Sequence, residues 1–347
     1  MTEVLTPGRL DSMDVLGAVA GLPEQVRDAA RAAQGLDGLP SHDVVDNVVV
    51  LGVGASGVAG DVLAAIGGPF VPVPMVVTKG YAPASFVGPG TLCFALSYSG
   101  DTEEVVEAAS AAAAAGAHLV VVTSGGVLAE QAPRWGAVHV PVPEGIPVGR
   151  AALGALAVPP LVALESLGLF PGASGWVDAA VAQLTARRDQ LLGAATDTPA
   201  RRIARAIGPT WPLVVGAGPL GAVAARRWKS QVNLNAKAPA FASAIPDLCH
   251  DEIAGWGQHG DVTRQLVTLV ELRHDEEHPQ EARRFDQIRD DLAEVTHDVV
   301  EVRAEGEGPL AQLLDLVLVG DVVALHLAEQ AGIDPGPVPA TDPFRLS

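Results

Sequence analysis

Lysine is nearly missing. The chain has only Lys79, Lys229 and Lys237, and arginine supplies the rest of its 22 basic residues against 41 acidic ones. The formal net charge of −19 argues against nucleic acid as the main partner, because neutralising a phosphate backbone needs a basic face. A small anion is still allowed, since a local nest of backbone N–H groups binds phosphate on an acidic protein. Cysteine is as scarce. Cys93 and Cys249 stand far apart and form no CxxC, so there is no zinc or redox motif and no metal is expected. Cys93 lies in an apolar, strand-like run and reads as packing. The opening stretch MTEVLTPGRLDSMD has no basic region ahead of an apolar one, so no signal peptide is expected. No uninterrupted apolar run reaches the about 18 residues of a membrane helix. The candidate LGALAVPPLVALESLGLF is broken by two prolines and Glu165. The expectation is a soluble, cytoplasmic protein with no membrane partner.

Core-forming material is plentiful. Hydrophobic residues are 48% and charged residues 18% of 347, a length of about two domains and too few charges for a disordered chain. Short apolar runs alternate with longer helical patterns. NVVVLGV (47–53), VPMVVT (73–78), LCFALS (92–97), HLVVVTS (118–124) and AVHVPV (137–142) read as buried parallel strands. DTEEVVEAASAAAAAGA (101–117) reads as a crossover helix between two of them. A long apolar helix over 150–168 is expected to kink or break near Pro159 and Pro160, with FPGASG (170–175) as a linker. A second unit repeats the plan. It has a strand and glycine turn over 211–218, a helix over 219–232, a strand over 265–272, a helix over 281–295, a strand over 298–304 and a helix over 309–332. Both units carry GxGxxG after their first strand, at Gly52, Gly54 and Gly57 and at Gly216, Gly218 and Gly221. An internal duplication of α/β domains explains the match.

GxGxxG invites a dinucleotide-binding reading. That reading needs an acid at the end of the next strand, about 20 residues on, to hold a ribose hydroxyl. After the first loop the next strand ends in Thr78 and Lys79. After the second, APAFASAIPD is not a clean strand. The glycines are better explained by a tight turn and close strand–helix packing. In the first loop Ser56 adds a hydroxyl at the edge where ligands bind in such folds.

SYSGDT (97–102) ends the third strand and opens a helix. Ser97, Ser99 and Thr102 offer hydroxyls, Gly100 lets the backbone turn, and the first helical turn has free N–H groups. That is a ready anion site. A plain helix cap by Ser99 or Asp101 would need only one such side chain.

With these features in place, the chain resembles the sugar isomerase (SIS) domain proteins. VGRAALG (148–154), NLNAKAPAF (233–241) and IPDLCHDEIAGW (245–256) are similar to motifs of the bifunctional phosphoglucose/phosphomannose isomerases, and the resemblance runs from about residue 45 to the C-terminus. It implies two tandem SIS domains, each a flavodoxin-like parallel sheet flanked by helices, over 45–170 and 171–347, behind an N-terminal helical segment over 1–44. It implies an enzyme that interconverts glucose 6-phosphate or mannose 6-phosphate and fructose 6-phosphate through a cis-enediol, with no metal or other cofactor. The phosphohexose would be held by Gly54, Ser56, Ser97, Ser99, Gly100 and Thr102. Arg150 would stabilise enediolate charge. His250 would serve ring opening, a task that suits a group titrating near neutrality, with Glu252 placed to orient it. The family's site uses both domains and often both subunits, so a homodimer is expected.

The family pattern is broken at three places. Its Asn-Glu-Asn stretch supplies the general base, and here that position is Leu234. Removing a positioned base costs about 10²–10⁴-fold. The family's LNHNEI reads LCHDEI here, with Cys249 and Asp251 replacing two asparagines. The family's C-terminal lysine position holds Arg345, which binds charge but donates protons poorly. Two readings stay open: an isomerase with a relocated base, for which Glu252, Asp251 and Asp247 are nearest in sequence, or a non-catalytic phosphosugar binder acting as regulator or partner subunit.

Overall fold

The computed structural model describes residues 10–344. Their contacts divide them into two units, one built from residues 21–181 with the segment from 339, the other from residues 10–20 and 182–338.

In the first unit β1 (Asn47–Leu51), β2 (Met75–Thr78), β3 (Thr91–Leu96), β4 (His118–Thr123) and β5 (Val138–Pro141) form one sheet in the order β2-β1-β3-β4-β5. Every pairing is parallel. This is the doubly wound order whose switch point lies between β1 and β3. Both faces are covered, so the strands read as continuous apolar runs. Val49, Leu51, Cys93, Ala95, Leu119 and Val121 pack against α4 (Glu103–Ala114) and α5 (Gly126–Gln131) through Val105, Ala108, Ala112 and Leu128. On the opposite face lies α3 (Gly54–Gly67), where a Cβ on Gly60 would meet Val50 at 2.9 Å and Val77 at 3.0 Å. α6 (Leu153–Ser166) packs on α3, and α2 (Leu22–Ala32) packs on α6. Of the kink or break expected at Pro159 and Pro160, the break does not occur. Both lie inside an unbroken α6 and are buried. Packing of almost the whole helix surface outweighs the backbone hydrogen bonds two prolines remove.

In the second unit β6 (Trp211–Ala217), β7 (Phe241–Ile245), β8 (Val267–Arg273) and β9 (Asp298–Arg303) form a parallel sheet ordered β7-β6-β8-β9. β7 lies in the stretch that does not read as a strand. α11 (Pro279–Leu292) covers one face with Phe285, Ile288 and Leu292 against Leu213, Val215 and Leu269. α9 (Gly218–Gln231) packs on the sheet and on α12 (Gly308–Ala331). Trp228 on α9 is fully buried and donates to the Leu316 carbonyl at 2.7 Å. A Cβ on Gly320 would lie 2.3 Å from its ring nitrogen, so that glycine is what lets the helices approach. α12 is long and apolar enough to cross a membrane, with mean hydropathy 1.8, yet that stretch is wholly buried inside the protein. It is a core helix. α8 (Pro199–Ile207) and α10 (Gly260–Leu266) complete the unit, and α7 (Ala173–Leu192) spans the boundary between the two. The helices ahead of residue 45 form no body of their own: α2 belongs to the first unit, while α1 (Val15–Ala20) packs on α12.

Candidate active site

The carboxyl edge of the first sheet gathers one group of the expected residues. Gly52 and Gly57 close the turn from β1 into α3 so tightly that a Cβ on either would come within 2.8 Å of backbone. Gly54 has φ +59, and Ser56 lies in the first turn of α3, 8% exposed. Next to it, Ser97 is buried. Its hydroxyl accepts from the Gly100 N–H at 3.1 Å and lies 2.9 Å from the Thr102 hydroxyl. The Ser99 hydroxyl accepts from Asp101 N–H at 3.2 Å.

The loop is held from beneath before any ligand acts. Tyr98 O accepts from the Ser124 hydroxyl at 2.6 Å, and Gly100 O accepts from Leu128 N–H at 3.0 Å. Asp101 does not cap α4. Its carboxylate accepts from Val127 N–H at 2.9 Å and fixes the start of α5. Gly100 has φ +79, and a Cβ there would lie 1.8 Å from the Gly125 carbonyl. No other residue fits. Thr102 is the N-cap position of α4 and makes no side-chain cap. The first N–H groups of α4 are therefore left without an acceptor from the N-cap side chain, and free donors at a helix start beside hydroxyls are what an anion needs.

Arg150 belongs to the same edge. It sits in a short turn, Gly149–Ala151, that packs on α3. A Cβ on Gly149 would touch the Tyr98 ring at 3.4 Å, and Tyr98 Oη accepts from Ile146 N–H at 2.9 Å. Gln25 on α2 donates to the Ala151 carbonyl at 2.9 Å. The turn that carries Arg150 thus adjoins both the hydroxyl loop and α3, which carries Ser56, although Arg150 lies about 50 residues along the chain from that loop. Deep in the same sheet, burial pushes the Cys93 thiol up to about 12, so it stays protonated.

The second unit holds the other group. α9 does not end as an α-helix but widens into a π-turn over Val232–Ala236. Such turns are rare and occur often at functional sites. The π-turn contains Asn233, Leu234 and Asn235. Asn235 is fully buried, 2.9 Å from the Gln231 carboxamide. Turned so that its oxygen faces the guanidinium, that carboxamide accepts from Arg227 at 2.8 Å. Arg227 is itself buried and clamps Asp321 at 2.9 and 2.6 Å. Asn233 donates to the Ala238 carbonyl at 2.8 Å. Both amides therefore build the turn, and Leu234 is the half-buried side chain between them.

Lys237, at φ +54, closes the turn by donating to Leu234 O at 2.6 Å and to Pro335 O at 3.0 Å. Beside Pro335, burial alone would raise the Asp334 carboxyl. Hydrogen bonds from Ser12 and Gly336 and the charge of Lys237 outweigh it and hold the group below its ordinary range. Arg345 lies outside the described residues.

His250 is exposed, at the end of a one-turn helix, Asp247–Cys249, whose Leu248 is anchored in the core. Asp251 accepts from Glu252 N–H and starts the next turn. Glu252 lines an open groove of about 510 Å³ with Trp211, Phe241, Val267, Lys229 and Trp256. Trp211, Phe241 and Val267 begin their strands, so this groove lies at the amino edge of the sheet, opposite the edge where glycine loops form. Among the described residues no cluster of three or more His, Cys, Asp or Glu could hold a metal ion. Sequence reading passed over Arg227, Gln231 and Asp321. Asp321 in the middle of the apolar α12 was the available signal.

Residues 44–158 match the SIS domain family, and residues 196–346 match the family described as bacterial phospho-glucose isomerase C-terminal SIS domain. The chain is 31% identical to a bifunctional phosphoglucose/phosphomannose isomerase of Caldicellulosiruptor bescii, over 94% of this chain and 96% of that one. It is 30% identical to the protein of the same name from Aquifex aeolicus, over 76% and 78%. A solved structure described as a putative phosphosugar isomerase from Clostridium difficile shares the fold, with TM-score 0.73 over 96% of this chain and 98% of that one, at 10% identity. The chain is a two-SIS-domain protein and belongs to the bifunctional phosphoglucose/phosphomannose isomerase family.

Proposed function

We propose that this protein is a phosphohexose isomerase that interconverts an aldose 6-phosphate, glucose 6-phosphate or mannose 6-phosphate, and fructose 6-phosphate. The observation that carries the reading is the preformed hydroxyl loop at residues 97–102, with an uncapped helix start and Arg150 beside it, in a chain of this family. In the proposed reaction the phosphate sits on Ser56, Ser97, Ser99, Thr102 and the first N–H groups of α4, with Gly54 and Gly100 shaping the backbone. With Leu234 at the family's base position, one of the carboxylates Glu252, Asp251 or Asp247 takes the proton from C2 of the open-chain aldose and returns it to C1 of the cis-enediol. Arg150 stabilises the charge that develops on oxygen. His250 passes the proton of ring opening, and Arg345 binds charge. We place the enzyme in the cytoplasm as a homodimer, since the exposed His250 and Glu252 segment suits service to a second copy.

One observation favours a second reading. Leu234 occupies the position of the family's base, and its neighbours Asn233 and Asn235 are committed to the turn itself. A protein that binds phosphohexose without turnover fits that position. The two readings separate by NMR of fructose 6-phosphate incubated with the purified protein and with Leu234→Glu. Turnover by the wild type at ordinary enzymatic rates, about 1–10³ per second, supports the isomerase and requires another base. Wild-type silence, with a gain of about 10²-fold or more in the variant, supports the binder and identifies the lost group.

A further inference from the structure

The loop after β2 crosses the same carboxyl edge. β2 flanks β1 on the side away from β3. Their ends therefore lie about 10 Å apart, two strand spacings, with the Gly52 turn and Ser56 between them. Two side chains of this loop grip the two helices that start there. The Tyr81 hydroxyl donates to Glu103, in the first turn of α4, at 3.3 Å. Lys79 runs back over α3: a Cβ on Gly57 would lie 3.2 Å from Lys79 Cε, and the ammonium forms an ion pair with Asp61. Gly57 directly follows Ser56, so the stem of this lysine already lies across the residue next to the hydroxyl site. The ion pair is only partly shielded, with the two side chains 27% and 16% exposed. In a chain with three lysines, one of them stands here.

We infer that Lys79 is a phosphate-binding residue of this site, exchanging Asp61 for the phosphate of the bound sugar. The inference rests on the phosphohexose reading above. A phosphate carries about −1.5 to −2 charge and three strong acceptor oxygens, so it is the stronger partner for an ammonium than one carboxylate. Asp61 then competes with the ligand, and the two residues have opposite effects on binding.

The test is calorimetric titration of fructose 6-phosphate and inorganic phosphate into the wild type, Lys79→Met, Lys79→Arg, Asp61→Asn, the Lys79→Met/Asp61→Asn double variant and Ser97→Ala, with thermal melting to check folding. Loss of one charge-assisted hydrogen bond is expected to weaken binding about tenfold in Lys79→Met. Lys79→Arg retains most of it. Asp61→Asn tightens binding a few-fold, and this gain vanishes in the double variant because its cause is gone. Unchanged affinity in Lys79→Met, with Ser97→Ala impaired, overturns the inference and leaves the phosphohexose reading standing. Equal weakening by Lys79→Met and Asp61→Asn also overturns it, since the pair would then be a structural brace. Absence of binding by the wild type overturns the phosphohexose reading and this inference with it.

Discussion

Two loops occupy the same place in two related sheets. β3 and β8 each flank the first strand of their unit, and each runs into a helix at the carboxyl edge. After β3 come Ser97, Tyr98, Ser99, Gly100, Asp101 and Thr102. After β8 come His274, Asp275, Glu276, Glu277 and His278. The first loop leaves the start of α4 without a side-chain cap. The second closes its own. The Glu277 carboxylate accepts from His274 N–H at 2.9 Å and from the Arg273 guanidinium at 2.8 Å. His278 and Glu281 form a capping box on α11. The His274 ring lies 3.0 Å from Ala217 O, against the second glycine turn. One scaffold thus carries an uncapped, hydroxyl-bearing loop in one unit, the place proposed for the anion, and fills the corresponding place in the other with its own carboxylates. On the proposed reading, anion binding would reside in the loop chemistry, not in the sheet order or the glycine turn that both units share.

The sharpest break of this comparison is Glu277→Ala. Glu277 and Arg273 are both almost fully buried, and losing one member of such a pair costs about 3 kcal/mol. Chemical denaturation should show that loss while the affinity for fructose 6-phosphate stays within twofold. A large loss of affinity in a folded variant would mean that the two loops are not independent.

Ser97→Ala is the converse. Its hydroxyl serves Gly100 and Thr102, so stability should fall by about 1 kcal/mol. Binding measured by calorimetry should fall by about tenfold or more, because the loop loses both a ligand and its own brace. Unchanged binding would remove the hydroxyl site from the first loop.

The smallest effect concerns acid. Burial lifts the Glu271 carboxyl above its ordinary range, and Arg289 recovers only part of that shift. A raised carboxyl pKa favours the protonated fold. Its contribution is fully present below the unfolded value and is lost as pH rises through the folded one. Glu271→Gln should therefore be more stable than the wild type at neutral pH, read as a higher denaturation midpoint. The gap should close as pH falls below about 4.3, the ordinary glutamate value. A gap that widens in acid would mean that Arg289 sets the sign.

Much of the first sheet could be read before the structure, and the reason is physical. Its strands are dense β-branched runs buried on both faces, such as Val48–Val49–Val50 and Val120–Val121–Val122. β7 could not be read this way. FASAI has one β-branched residue, lies at the sheet edge and is a strand because β6 pairs with it. The run of Pro159 and Pro160 through α6 was hidden for a like reason, since tertiary packing overrode a local preference. At the site, the hydroxyls of residues 97–102 were legible because their types alone define anion chemistry. The duty of Asp101 was not, because its partner Val127 comes from the next crossover. Nor was the placement of Glu252 at the amino edge, since nothing in a one-turn helix says which edge it faces.

The π-turn at Val232–Ala236 has a further consequence. A π-turn is an α-helix with one residue too many, so the change that would erase it is a one-codon deletion. Such a deletion would let α9 run on in regular geometry, but it would rotate everything beyond it by about 100°. Asn235 would leave Gln231, Asn233 would leave Ala238, and Lys237 could no longer tie the turn to Pro335. Ordinary drift by substitution can alter what position 234 presents while the platform survives. Gain or loss of a single residue there would dismantle the platform and leave the helix looking healthier than before.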